Sequence, residues 1–275
     1  MKSLKKIILL GIVTTILVSC TSNPKKPEPN KIVYADDTTM VYNRHLVMSV
    51  LYQQRAAECK ALYYQAFNIA HLMLDNDLDK KDIKGKRAVV VDIDETILDN
   101  SPFEAKMITQ NAKFPNDWNN WVELAKAKAV PGSVDFLNYA VSKGVEVFYI
   151  TNRTQKEATI KNLKEQKFPM VDSLHLMLKQ DSTASKEKRR KKVMEKYHII
   201  LLMGDNLADF SEAFDNTTPE NRDAKTNELR NEFGKKFIVL PNAMYGDWER
   251  AMYDNSKTYT NKEKAEIRKS NLIDY

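Results

Sequence analysis

Two hydrophobic periodicities divide the chain. From about Asp37 to Asp75 apolar residues return every three or four positions: Val41, Leu46, Val50, Leu51, Leu62, Ala66, Ile69, Leu72. That spacing predicts two long helices or one bent helix. The pattern then shortens. Ala88–Val91 is a fully apolar, mostly β-branched run, as in a parallel strand buried on both faces. Further strands are expected at Val145–Ile150, Leu174–Leu178, Ile199–Met203 and Phe237–Leu240. Helical stretches separate them at Val134–Ser142, Gln155–Glu165, Lys186–Lys196 and Pro219–Phe233. Alternating strands and helices predict an α/β, three-layer, Rossmann-like parallel sheet. In such sheets the working residues gather at the carboxyl ends of the strands.

The first twenty residues follow another rule. Lys2, Lys5 and Lys6 precede an apolar stretch, Ile7–Val18, too short to span a bilayer as a helix. It ends in Leu17-Val18-Ser19-Cys20, which looks like a bacterial lipobox with Cys20 as the lipidated residue. We expect residues 1–19 to be a signal peptide, 20–36 a lipid-anchored tether rich in Ser, Asn, Pro and Lys, and 37–275 the folded domain. The destination is the cell envelope, and the outer membrane in a Gram-negative cell, because Thr21 rather than Asp follows Cys20.

Composition adds little beyond this. A 43% hydrophobic share supplies a core. The net charge of +6 falls to +3 once the three signal-segment lysines are removed, too little to argue for a nucleic-acid polymer as partner. With Cys20 lipidated, Cys59 has no partner for an intrachain disulfide and reads as a small buried apolar residue.

The strand ends carry the chemistry. The first runs into Asp92-Ile93-Asp94-Glu95-Thr96, the second into Thr151-Asn152-Arg153, the fourth into Gly204-Asp205-Asn206-Leu207-Ala208-Asp209. Lys186 opens a basic helix, with Lys188 and Lys179 nearby as rival lysines. Four carboxylates on one rim repel unless a hard, oxygen-loving cation joins them, and Mg²⁺ is the usual one beside phosphate. Strand-end aspartates can also simply cap helices, a reading that suits any one of them but not the set. His45, His71, His175 and His198 show no metal-ligand spacing and read as structural. Neither cysteine has an arginine six positions on, and there is no Arg-His-Gly and no Gly-Lys-Ser/Thr loop.

Asp92-x-Asp94-x-Thr96, Thr151-Asn152, Lys186 and Gly204-Asp205-x-x-x-Asp209 resemble, in order, the four motifs of the haloacid dehalogenase superfamily. The chain resembles in particular its class C acid phosphatases, the bacterial lipoprotein acid phosphatases. Asp94-Glu95-Thr96-Ile97-Leu98-Asp99-Asn100-Ser101-Pro102 and Leu240-Pro241-Asn242-Ala243-Met244-Tyr245-Gly246 add to the likeness. The resemblance implies Asp92 as nucleophile, Asp94 as general acid and base, and Mg²⁺ held by Asp92, the Asp94 carbonyl and Asp205, with Asp209 one layer out. It implies Thr151, Asn152 and Lys186 as phosphate-binding, and small phosphomonoesters, including 5′-nucleotides, as substrates. Trp118 and Tyr245 match positions where rings sandwich a nucleobase, whereas Trp121 reads as core. A small helical cap is expected from about 37–80 and 100–130. The competing reading is a non-catalytic, ligand- or surface-binding lipoprotein on the same fold. Intact Asp92, Asp94, Asp205 and Lys186 argue against it.

Overall fold

The structure, a computed structural model, describes residues 43–180 and 183–275. The signal segment, Cys20 and the tether lie outside them. The elements in chain order are α1 (Val47–Arg55), α2 (Ala57–Leu78), β1 (Lys86–Val91), β2 (Leu98–Asp99), α3 (Ser101–Thr109) and α4 (Trp118–Leu124). They continue with β3 (Lys128–Ala129), α5 (Ser133–Ser142), β4 (Glu146–Ile150), α6 (Lys156–Glu165), β5 (Leu176–Met177) and α7 (Glu187–Met194). The chain closes with β6 (Tyr197–Gly204), α8 (Pro219–Glu228), β7 (Phe237–Val239), α9 (Asp247–Arg250) and α10 (Asn261–Ser270).

Five strands form one parallel sheet in the order β5-β4-β1-β6-β7. β1 sits at its centre, as its unbroken apolar run requires. Alternation along the strands feeds two cores. Val89, Val91, Val147 and Tyr149 face a cluster with Phe67, Ala70 and Leu74 of α2 and Phe136 and Leu137 of α5. Ala88, Val90, Phe148 and Ile150 face the other side, with Val193 of α7, Phe210 and Phe237. The β1–β6 register slips between Ala88 and Val89, which pair with Ile199 and Leu201, so Ile200 is an extra residue that turns back into the first cluster. Each fully buried Leu, Ile, Val or Phe contributes about 1.5–3 kcal/mol.

The N-terminal region forms two helices, one of the two expected arrangements, separated at Ala56, whose backbone is extended. Two details differ from the sequence expectation. α2, expected as part of a cap, packs along the sheet through Phe67, Ala70 and Leu74, because its buried stripe is long enough to cover strands. Only its start reaches the rim, where Tyr63 O–H donates to the carbonyls of Glu95 and Pro241 at 3.1 and 3.2 Å. The third expected strand shrinks to Leu176–Met177, since Leu174 is exposed. The insertion over residues 100–127 is bracketed by the antiparallel β2–β3 pair and holds α3 and α4, with α3 packed on α1.

Candidate active site

Asp92 prolongs β1 by one ladder bond, its N–H donating to Met203 O at 2.9 Å. The chain then turns. The N–H groups of Ile97 and Leu98 both return to Ile93 O, and Glu95 takes a left-handed conformation at φ 59°. A non-glycine residue there needs support. Asn100 N–H donates to Glu95 Oε1 at 2.7 Å, and Tyr245 O–H donates to Oε2. Glu95 is fully buried, and burial, then repulsion from Asp94 and Asp205, drives its carboxyl well above the ordinary range. Its hydrogen bonds from Asn100 and Tyr245 make it an anchor of the turn.

Around this turn the other strand ends converge. Thr96 Oγ1 lies 3.2 Å from Asp92 Oδ2 and 3.2 Å from Asp205 Oδ1, so its one proton serves either carboxylate in turn. Its oxygen also accepts the Asp205 N–H at 3.1 Å. Asn242, in the loop after β7, donates to Asp205 Oδ2 at 2.8 Å. Gly204 ends β6 beside Asp209, and a Cβ on it would collide with the Asp209 side chain. Glycine is thus required for the second aspartate of that motif to close in.

Asp92, Asp205 and Asp209 each present a carboxylate oxygen within 4.8 Å of the others. Lys186, buried at the start of α7, donates to Asp92 Oδ1 and to Asp209 Oδ1, the latter at 2.6 Å. One lysine does not neutralise three carboxylates. Burial raises the Asp92 pKa to about 7, with Asp209 and Asp94 adding to it and Lys186 opposing. Asp205 rises well above its ordinary value through burial and then through Asp209 and Asp92. Burial would lower Lys186, but Asp209 and Asp92 outweigh it and hold the ammonium charged. Unmet negative charge on an all-oxygen donor set fits a hard divalent cation. Asp209, expected one layer out, brings a carboxylate oxygen as near as the other two. The Asp94 carboxylate stands apart from it: Arg153 Nε and Nη2 donate to its Oδ1 at 2.9 and 2.6 Å, and Asn100 Nδ2 at 2.8 Å.

Thr151 and Asn152 follow β4. Thr151 is fully buried and accepts the Arg153 N–H at 3.1 Å, while Asn152 is exposed and donates to Ala184 O at 3.0 Å. Lys186 is the lysine of the site. Lys188, two residues on, is exposed. The basic helix has a further role that its sequence did not announce. Buried Arg189 donates to Thr151 O, to Met177 O at 3.3 Å and to Asn152 Oδ1 at 2.8 Å. Buried Arg190 donates to Ala208 O and Asp209 O at 2.8 and 2.9 Å. α7 therefore ties the loops after β4 and β6 to its own start.

The two rings singled out in the sequence both border the turn. Half-buried Trp118 packs edge-on to Phe103, ring centres 5.1 Å apart, and the Arg153 guanidinium lies 5.9 Å from its ring centre. Tyr245 reaches Glu95, as above. Trp121 packs against the first core cluster and donates its Nε1–H to Asn100 Oδ1 at 2.8 Å. The four histidines stay away from the carboxylates: His175 and His198 sit at the opposite end of the sheet, His71 packs on Phe136 and Tyr139, and His45 lies near Arg268 and Glu249. Glu95, Asn100, Arg153 and Asn242 are the site residues that motif spacing missed. Glu95 and Asn100 pair with each other inside one segment, but each also needs a partner from another loop, as Arg153 and Asn242 do.

The family described as HAD superfamily, subfamily IIIB (acid phosphatase), matches residues 6–248. Among solved structures, the class C acid phosphatase from Bacillus anthracis is similar at 43% identity and a TM-score of 0.81, over 84% of this chain and 98% of that one. The same enzyme with tungstate bound matches at 42% identity with the same score and coverage. Stem 28 kDa glycoprotein of Glycine max is 27% identical over 169 residues, 57% of this chain and 62% of that protein. Acid phosphatase 1 of Solanum lycopersicum is 27% identical over 133 residues, 46% of this chain and 52% of that protein. The chain thus spans only about half to three-fifths of the length of these plant relatives. A family match that runs through all four strand-end motifs leaves one assignment, and the chain belongs to the subfamily IIIB acid phosphatases of the HAD superfamily.

Proposed function

We propose that the protein hydrolyses phosphomonoesters, 5′-nucleotides among them, by Mg²⁺-dependent covalent catalysis at Asp92. The observation that carries this is the placement of Asp92. Its carboxylate ends the central strand, between the Lys186 ammonium and Thr96, beside Asp205 and Asp209. Asp92, Asp205 and the main chain at Asp94 would hold Mg²⁺, with Asp209 contributing directly or through water. The ion supplies charge neutralisation that lets an anionic nucleophile approach an anionic phosphate.

An oxygen of Asp92 attacks phosphorus, and the bond from phosphorus to the ester oxygen breaks as Asp94 gives that oxygen a proton. The resulting aspartyl-phosphate is opened by water, which loses its proton to Asp94 and releases inorganic phosphate and the Asp92 carboxylate. Lys186, Thr151 and Asn152 bind the phosphoryl oxygens as charge develops. The tungstate held by the Bacillus anthracis relative, a tetrahedral oxyanion, supports a phosphoryl pocket of this kind. Trp118 and Tyr245 would take a nucleobase. The lipobox at Cys20 supports anchoring in the cell envelope, testable by release of Cys20→Ala from washed membranes.

The primary test is hydrolysis of p-nitrophenyl phosphate by protein stripped with chelator and then reloaded. Activity should vanish and return with Mg²⁺. Full turnover in metal-free protein refutes the site as described.

A further inference from the structure

The molecule buries three arginines around the site, and they serve different kinds of partner. Arg189 and Arg190 reach main-chain carbonyls of neighbouring loops and so hold those loops together, Arg190 also gripping Glu187 on its own helix. Arg153 donates instead to side chains: twice to Asp94 Oδ1, and at 3.2 Å to Asn100 Oδ1. Its remaining nitrogen, Nη1, is buried without a hydrogen-bond partner among the described residues. A guanidinium placed to satisfy itself would not be left that way.

Asn100 completes the arrangement. Its Nδ2 donates to Asp94 Oδ1 at 2.8 Å, and its Oδ1 is fixed by Trp121 Nε1 at 2.8 Å. Among the described residues, all three hydrogen bonds to the Asp94 carboxylate thus fall on Oδ1. The Arg153 side chain is 1% exposed, while that of Asp94 keeps 20% of its surface open. A rigid, buried clamp holds one oxygen of a carboxylate whose remainder stays accessible.

We infer that Arg153, with Asn100, is the positioning residue of the acid–base step, fixing Asp94 by Oδ1 so that Oδ2 faces the leaving-group oxygen. This rests on the reading of Asp94 as general acid. Arg153 acts through Asp94 and does not touch substrate. Its loss therefore matters in proportion to how much the leaving group needs a proton: an alkoxide needs one badly, p-nitrophenolate hardly at all.

The test compares kcat/KM for a simple alkyl phosphate and for p-nitrophenyl phosphate in Asp94→Asn, Arg153→Ala, Arg153→Lys and the double variants. General acid catalysis contributes about 10²–10⁴-fold, so Asp94→Asn should lose at least about 100-fold more on the alkyl ester than on the aryl ester. Arg153→Ala should show a selective loss of about tenfold, a part of that contribution. Arg153→Lys, which keeps the charge but not the two-pronged geometry, should fall between. Inhibition by inorganic phosphate should stay within about twofold, since the phosphoryl pocket is separate. In the Asp94→Asn background the selectivity due to Arg153 should disappear. If Arg153→Ala does not fold, Arg153→Lys reads the same ratio.

Equal losses on the two esters would make Arg153 structural and overturn the inference. So would a selective loss that survives in Asp94→Asn, because Arg153 would then act on the leaving group itself. A flat response in Asp94→Asn removes the acid assignment and the clamp with it, an outcome distinct from the first two.

Discussion

The two ends of the parallel sheet handle charge in opposite ways. At the amino ends of the strands three carboxylates are matched: buried Asp77, half-buried Glu146 and exposed Asp172. Asp77 accepts from Arg87 at 2.9 Å, Lys80 at 3.0 Å and His198 at 3.1 Å. Glu146 is paired with Lys86 and His175, and Asp172 with His175. Burial would raise all three carboxyls, yet hydrogen bonds from these partners bring them below their ordinary values. At the carboxyl ends Asp92, Asp205 and Glu95 are raised instead, and among the described residues Lys186 is the one cation paired with Asp92 and Asp209. The sheet is stabilised from one end and left electrostatically unfinished at the other. The unfinished end is where a cation and a phosphoryl group would complete the charge balance.

Exchanging one aspartate at each end breaks the comparison most directly. Asp92→Asn should lower kcat at least about a hundredfold, because an amide does not attack phosphorus. It should not lower the Tm of metal-free protein, since it removes a repelling charge. Asp77→Asn should do the reverse. It takes an acceptor charge from Arg87 and His198 and should cost about 1–3 kcal/mol in denaturant unfolding, with kcat/KM unchanged within about twofold. Loss of activity without loss of stability at Asp77 would dissolve the contrast.

pH sharpens it, because the two shifts have opposite signs. A raised carboxyl destabilises the fold progressively as pH climbs from its unfolded value, about 4, to its folded one, which for Asp92 is about 7. The Tm advantage of metal-free Asp92→Asn over wild type should therefore be absent near pH 4 and complete above about 7. Asp77 is depressed, so its contribution is present above about 4 and disappears as pH falls through the lower folded value. The Tm deficit of Asp77→Asn should then shrink in acid. Mg²⁺ at a hundred times its Kd should stabilise wild type by about 2.7 kcal/mol and leave the Asp77 profile untouched.

The same contrast explains what was legible in the sequence. Ala88–Val91 announced the central strand because it is buried on both faces, and the strand-end aspartates and Thr151 followed from their positions, whereas position alone left Lys186 with Lys188 and Lys179 as rivals. Signals carried by a single segment were readable. The break at Ala56 had no local mark, since neither glycine nor proline stands there. Arg153 was visible as a residue, but its function depends on Asp94 and Asn100, 59 and 53 positions away. Asn242 likewise reaches back 37 residues to Asp205. Arg189 and Arg190 were legible only as part of a basic helix, and helical periodicity alone does not say that two of six consecutive polar residues point inward.

The smallest expected effect lies in the roof over the unfinished end, and it asks whether Trp118 and Tyr245 bind substrate or only brace the turn. Both have structural partners: Trp118 packs on Phe103 and covers Arg153, and Tyr245 holds Glu95. Stacking a base on an aromatic ring contributes about 1–3 kcal/mol and tolerates any base. Trp118→Ala should then lower kcat/KM for a 5′-nucleotide by about tenfold, or 1.4 kcal/mol, and change a small aliphatic phosphate by less than about twofold. Tyr245→Phe separates the two roles at the other ring. It deletes the hydrogen bond to Glu95 but keeps the stacking face, so nucleotide preference should persist even if Tm falls. Equal losses on both substrates in Trp118→Ala would make the ring a brace for Arg153, and the preference for nucleotides would then have no residue to carry it.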